Sequence, residues 1–403
     1  MNTSSSATEK STVAGRFFVA LSLAAALLGS TVPSPLYPHY QELWSLSSTF
    51  VTSIFSTYAL GVLGSLLLLG RYADRIADRR VILLAGLTVI GAGALTFAFA
   101  PGPNWLLLGR LLAGMGTGVM VGAANAALLE LDPKNDRQRA AVIGTLAFTA
   151  GGALGPVLSG LALQWNLWPT VLPFLMILLT AGIAFVGLLR SQWTSRLPAA
   201  SHEHELTGHV PARELLKSLG FPFLLAIGAL VLSWSIASVF VATGSSVALH
   251  LAAITNPALT GLLVSLFQGL GSITQTLFRK VAFKQAIFAG VLTVAVGQVG
   301  FFAAATLHSP IVFLIATAFA GLGYGAAFVG TAGLINYIAP ARSRVKVVSW
   351  FYMCGYIVGN ALPAVAVGIL ADVFGLYTAL GIFSGIMVAF AAYIMARASQ
   401  LRV

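Results

Sequence analysis

A chain of 403 residues that is 58% hydrophobic and only 8% charged is not an ordinary soluble domain, in which about 25% of residues carry charge. Its formal net charge of +11 would suggest nucleic acid in a soluble protein, but a polytopic membrane protein acquires that balance by keeping Lys and Arg on cytoplasmic loops, so no nucleic-acid partner is expected. The single cysteine, Cys354, excludes an intramolecular disulfide and a thiolate metal centre.

Residues 1–15 are polar, rich in Ser and Thr, and predicted to form a cytoplasmic tail. Arg16 opens an apolar run that imitates a signal peptide, yet the run continues past Val32 and many spans follow, so it reads as an uncleaved first span. Twelve runs are long enough to cross a bilayer: about 16–38, 48–70, 81–100, 105–129, 139–163, 169–190, 219–244, 258–279, 284–306, 310–337, 345–370 and 375–397. They are continuous rather than alternating, which excludes a strand barrel.

The first span ends in Val32-Pro-Ser-Pro-Leu-Tyr37-Pro-His39-Tyr40, and three prolines in six residues cannot continue a regular helix. Between the second and third runs, Gly70-Arg-Tyr-Ala-Asp74-Arg75-Ile-Ala-Asp78-Arg79-Arg80 holds six charges in eleven residues. A charge at the bilayer centre costs about 2.5 to 3.5 kcal/mol, so this stretch is a loop in water, and its arginines mark the cytoplasmic side. With the amino terminus inside, 21 of the 22 Lys and Arg fall on cytoplasmic segments and none on external loops. The exception is Arg110, inside the fourth span. Both termini are therefore expected in the cytoplasm.

From Arg190 to Gly220 the apolar pattern stops, with six runs on either side. Here His202, His204, Glu205 and His209 invite a metal reading, but the spacing is not HExxH, and no metal or other cofactor is expected. The halves repeat. Ala113-Gly-Met-Gly-Thr-Gly118 recurs 207 positions later as Ala320-Gly-Leu-Gly-Tyr-Gly325, and the same offset takes Pro133 to Pro340, Arg137 to Arg344, Gly152 to Gly359 and Pro156 to Pro363. Six spans per copy imply the same topology in each half, the parallel-repeat plan of a rocking transporter. The glycine runs lie mid-span, with no preceding strand, and are not a nucleotide fingerprint. The expected fold is thus an all-α membrane protein of twelve transmembrane helices in two six-helix pseudo-symmetric bundles, residues 16–190 and 219–403, joined by a cytoplasmic linker over 191–218.

Three motifs resemble the major facilitator superfamily. The loop after the second span carries Gly70, Asp74 and Arg75, then Ala77 where that family usually has Gly, then Asp78, Arg79 and Arg80. In the fourth span Arg110 precedes Gly114 by four residues, and the fifth span carries Gly151, Gly155, Pro156, Ser159 and Gly160. Pro156 predicts a kink. The resemblance implies that the fifth-span motif belongs to exporters working as proton antiporters, especially those for drugs. It also implies that Asp74 docks on the amino-terminal end of the eleventh helix, near Ser343, and that Gly70, Asp74, Arg75, Arg79 and Arg80 with Gly151, Gly155 and Pro156 serve conformational gating. Spans one, four, seven and ten would line a central cavity. Tyr37, Arg110, Trp234, Gln268 and Tyr324 are the polar or aromatic candidates at membrane depth on or beside them.

All eleven acids lie at or beyond the membrane edges, whereas many proton-coupled members of the family carry a carboxylate within a span. Arg110 cannot lose its charge and must be paired, solvated or bound to an anion. Two readings stay open: Glu42 folds inward and exchanges protons under the control of Arg110, or Arg110 binds an anionic substrate directly. The function expected is export of small organic molecules by alternating access with proton antiport, by a monomer in the cell (inner) membrane. The alternatives are a uniporter or uptake symporter for a metabolite, and a membrane-embedded enzyme, for which no buried nucleophile and base come together.

Overall fold

The computed structural model describes residues 3–69, 78–132, 134–191 and 211–400. Gly70, Asp74 and Arg75 of the charged loop, Pro133 and the histidine cluster at 202–209 lie outside them. The described secondary structure is helical: α1 (Thr3–Thr31), a 3-10 turn (Ser34–Leu36), α2 (Tyr37–Leu43), α3 (Ser48–Leu69), α4 (Arg79–Ala98), α5 (Pro103–Glu130), α6 (Arg137–Gln164), α7 (Leu172–Arg190), α8 (Ala212–His250), α9 (Pro257–Phe278), α10 (Phe283–Leu307), α11 (Pro310–Ile338), α12 (Arg344–Cys354), a π segment (Gly355–Ala361), α13 (Leu362–Phe374) and α14 (Leu376–Ala398). They make twelve spans long and apolar enough to cross a bilayer. The first is α1 with α2, bent at the predicted prolines, and the eleventh is α12, the π segment and α13. The seventh starts earlier than its apolar run, because α8 enters through a polar turn and breaks at Gly220, whose φ of 56° is one that glycine adopts readily.

By contact, the described residues up to Trp44 and from Thr57 to Ser191 form one unit, and Ser45–Ser56 with those from Pro211 onward form the other. Within each, the repeated glycines do the same work. In the first unit a methyl group on Gly114 or Gly118 would collide with α3, at the Tyr58 carbonyl or the Ser65 hydroxyl, whereas one on Gly116 would meet α4 at Ile90 and Gly86. In the second unit Gly321 and Gly325 press on α9 at Phe267 and Gly271, and Gly323 presses on α10 at Val294 and Gly290. Residues four apart share one helix face and the residue between them points elsewhere, so one glycine run seats a helix against two neighbours. Lipid tails are as apolar as Leu, so such close backbone packing, rather than a hydrophobic drive, holds spans together.

Candidate functional site

Pro33 and Pro35 have no N–H to donate to the carbonyls four residues back, so the end of α1 is left rich in free acceptors. Arg110, reaching across from α5, uses one of them and its neighbour: Nη1 donates to the Gly29 carbonyl, which Pro33 frees, at 3.5 Å and more closely to the adjacent Ser30 carbonyl at 2.6 Å. Nε donates to the Tyr37 hydroxyl at 3.1 Å, and Nη2 donates to the same oxygen. The guanidinium carbon also stands 5.7 Å from the Tyr37 ring centre and 5.6 Å from that of Tyr58 on α3. Arg110 is 1% exposed. Its charge is thus balanced by the carbonyl end of a helix, where a cation is favoured, and by phenol groups.

The structure brings Tyr37 to Arg110 as their similar depth suggests, but it does not bring Glu42. That acid is exposed near the end of α2, and among the described residues no ion pair joins it to Arg110. Of the two readings left open, the inward fold of Glu42 is corrected for this structure: the carbonyls at the end of α1 and the Tyr37 hydroxyl hold the guanidinium instead. A third acceptor at this break, the Val32 carbonyl, receives the Ser159 hydroxyl of α6 at 2.6 Å. Gly151 and Gly155 let α6 approach, since a methyl group on either would strike the Ala24 carbonyl or the Thr31 hydroxyl. Helix α6 runs from Arg137 to Gln164 with Pro156 inside it, so the proline that predicts a kink does not end the helix.

In the second unit, Trp234 of α8 is 8% exposed and its Nε1 has no hydrogen-bond partner among the described residues. Its ring centre lies 6.0 Å from Phe328, 6.5 Å from Tyr352 and 5.1 Å, edge to face, from Tyr356. Tyr352 and Tyr356 straddle the start of the π segment. That segment precedes Pro363, which cannot donate to the Gly359 carbonyl; Ser238 of α8 donates to it at 3.4 Å instead. The Tyr324 ring lies tilted, 5.5 Å from that of Phe267, and Gln268 is half-buried on α9 outside these ring contacts. Sequence reasoning missed Tyr58, Phe328, Tyr352 and Tyr356. The signal was the four-residue spacing of Tyr324 with Phe328 and of Tyr352 with Tyr356, which puts each pair on one helix face.

The helix ends carry the charged contacts. Arg79 pairs with Glu130 at 3.0 Å and Arg80 with Asp78 at 2.8 Å. Burial alone would raise the Asp78 carboxyl, but hydrogen bonds and charge from Arg80 outweigh it and hold it below the usual carboxylate range. The Asp132 side chain, 0% exposed, faces Arg16 at 3.5 Å and Arg139 at 3.8 Å and accepts the Lys134 and Asp136 amides. Its burial is outweighed by those amides and the two arginines, so its carboxyl too is lowered. At the other end of the spans, Asp372 of α13 accepts the first two amides of α3, from Ser48 at 2.6 Å and Thr49 at 2.8 Å, within the second unit. An acid docked on a helix start was expected from Asp74, which lies outside the described residues.

A family model, the Major Facilitator Superfamily, matches residues 19–363. Over 205 residues, 50% of this chain, the sequence is 28% identical to the methylenomycin A resistance protein of Bacillus subtilis (strain 168). Over 172 residues, 41% of the chain, it is 31% identical to the multidrug efflux pump LfrA of Mycolicibacterium smegmatis, and over 158 residues, 39% of the chain, it is 29% identical to a gallate transporter of Pseudomonas putida. The matches span 42%, 33% and 33% of those relatives' own lengths, less than half of each. A crystal structure of a bacterial homolog to the human lysosomal transporter Spinster superposes with a TM-score of 0.79 over 96% of this chain and 97% of that one, at 15% identity, a likeness of fold alone.

Proposed function

The chain belongs to the Major Facilitator Superfamily, and on that premise we propose that it exports small, amphipathic organic molecules across the cell membrane by alternating access, driven by proton antiport. The observation that carries this reading is the junction of α1 and α6: Gly151, Gly155 and Ser159 seat α6 against the proline-broken end of α1, and this is the motif whose resemblance points to exporters. The relatives named for drug resistance and efflux support it. Efflux of a substrate panel from sealed vesicles, with and without an imposed pH gradient, tests the proposal; transport indifferent to the gradient for every substrate would overturn the antiport.

Arg110 favours a second reading, transport of an aromatic carboxylate, because among the described residues its charge is balanced by carbonyl and phenol dipoles rather than by an acid and one relative is named a gallate transporter. In the same panel this reading predicts that anionic substrates outrun cationic ones. For the orientation, with both termini cytoplasmic, a cysteine placed at Asn166 in a Cys354→Ala background is expected to react with an impermeant thiol reagent added to intact cells. Protection of that cysteine would reverse the topology.

A further inference from the structure

A groove of about 970 Å³ runs between α1 and α7 in the first unit. Phe18, Leu178, Gly182 and Val186 line its length, and Arg190 and Ser191 close one end. Leu179, Ile183 and Val186 stand half-exposed along its flank, so it opens on the apolar surface of the bundle. Gly182 deepens it, for a methyl group there would touch nothing within 4 Å.

The closed end carries the charge. Arg190 is exposed in the last turn of α7, and among the described residues no acid pairs with it. The helix dipole at that terminus amounts to about half a negative charge, which leaves a net positive site. The neighbouring Ser191 carbonyl already accepts from Arg80 at 3.2 Å, and the Asp78 carboxylate is paired with that same arginine, so both acceptors are engaged by Arg80 rather than by Arg190.

We propose that this groove is a binding site for one anionic phospholipid, with an acyl chain along Phe18, Leu178 and Val186 and the headgroup phosphate on Arg190. A water-soluble solute would find a single polar group in an apolar trough, whereas a lipid matches both ends. Hydrocarbon gains little by leaving hydrocarbon for a protein groove, so selectivity resides in the headgroup contact and retention in the shape of the trough. This site is separate from the transport reading and stands or falls without it.

The test is native mass spectrometry of the full-length protein in detergent, titrated with phosphatidylglycerol or phosphatidylcholine. The wild type is expected to retain one phosphatidylglycerol about five-fold more strongly than phosphatidylcholine, the factor that one basic residue gives at an anionic surface. Arg190→Gln should abolish that preference. Gly182→Leu, which fills the trough at a position with free space and leaves the charge intact, should lower retention of both lipids, while the control Lys280→Gln should change nothing. Equal retention of the two lipids by the wild type, or undiminished phosphatidylglycerol binding by either groove variant at an unchanged melting temperature, would overturn the site.

Discussion

Helices α5 and α11 are copies 207 positions apart, and their glycines seat them identically, yet their chemistry has parted. Where α5 buries Arg110 against the end of α1, α11 carries Thr317, whose hydroxyl merely donates to its own helix at Phe313. Where α6 has Gly155 under the break in α1, the eleventh span has Leu362, 58% exposed. The first unit thus fixes a polar junction and the second gathers aromatic rings around Trp234. Backbone packing was kept by both copies, while side-chain chemistry was free to specialise in each.

Replacing the divergent pair gives the sharpest break of this comparison. Arg110→Ala leaves two carbonyls and the Tyr37 hydroxyl buried without their donor, at about 1 to 3 kcal/mol each, and is expected to abolish transport and lower the melting temperature. Thr317→Val should stay within about 0.5 kcal/mol of wild type and transport normally; equal damage from both would mean that the two positions do not differ. Next in size is Gly155→Ala, expected to cost about 1 to 3 kcal/mol by overpacking against Thr31 and to slow vesicle transport, against a near-silent Leu362→Ala. Transport at the wild-type rate by Gly155→Ala would make the α1–α6 contact incidental.

Asp372→Asn sharpens the comparison at the helix starts. Helix α9 is capped by its own Asn256, which accepts from Leu259, whereas α3, whose own Ser47 hydroxyl accepts from Phe50, draws on Asp372 for the Ser48 and Thr49 amides. Loss of that charge should cost about 0.3 to 1 kcal/mol, read as a small fall in melting temperature that Asn256→Asp does not reproduce. The smallest effect is one of pH. Position 339, which corresponds to Asp132 in the second unit, is Ala339, so only the first unit has this buried acid. Because the folded Asp132 carboxyl is lowered, its contribution is complete above the ordinary carboxylate range, about 4, and is lost only as pH falls below that. Stability should be flat from about pH 5 to 8, then drop in acid for the wild type and less steeply for Arg16→Gln; equal acid profiles would remove Asp132 from the account.

Apolar run length and the placement of Lys and Arg made the twelve spans legible in the sequence, and the 207-residue offset made the paired helices legible too. The Arg110 site was half legible. Depth along the helix brought Tyr37 to it, but the search for a counter-charge led to Glu42, because the acceptors that hold the guanidinium are backbone carbonyls, of Ser30 and of Gly29 four residues before Pro33, and these leave no mark in residue type. The rings around Trp234 were hidden for a different reason: in a chain with 10% aromatic residues, Phe328, Tyr352 and Tyr356 differ from lipid-facing aromatics only in what they face. The π segment follows from Pro363, yet the equivalent Pro156 sits in an unbroken helix. The difference between those two prolines therefore lies in their surroundings rather than in themselves.

The cap that Asp372 provides has a consequence for how the protein is made. Ser48 and Asp372 are 324 positions apart, so at about 5 to 20 residues per second the start of α3 emerges from the ribosome roughly a quarter of a minute to a minute before its acceptor exists. During that interval two amides at the head of a span must be served by water or lipid headgroups. The second unit takes in residues 45–56 as well as the last six spans, so it cannot be completed by the later half of the chain alone. Biogenesis must hold an early helix available until the eleventh span arrives to receive it.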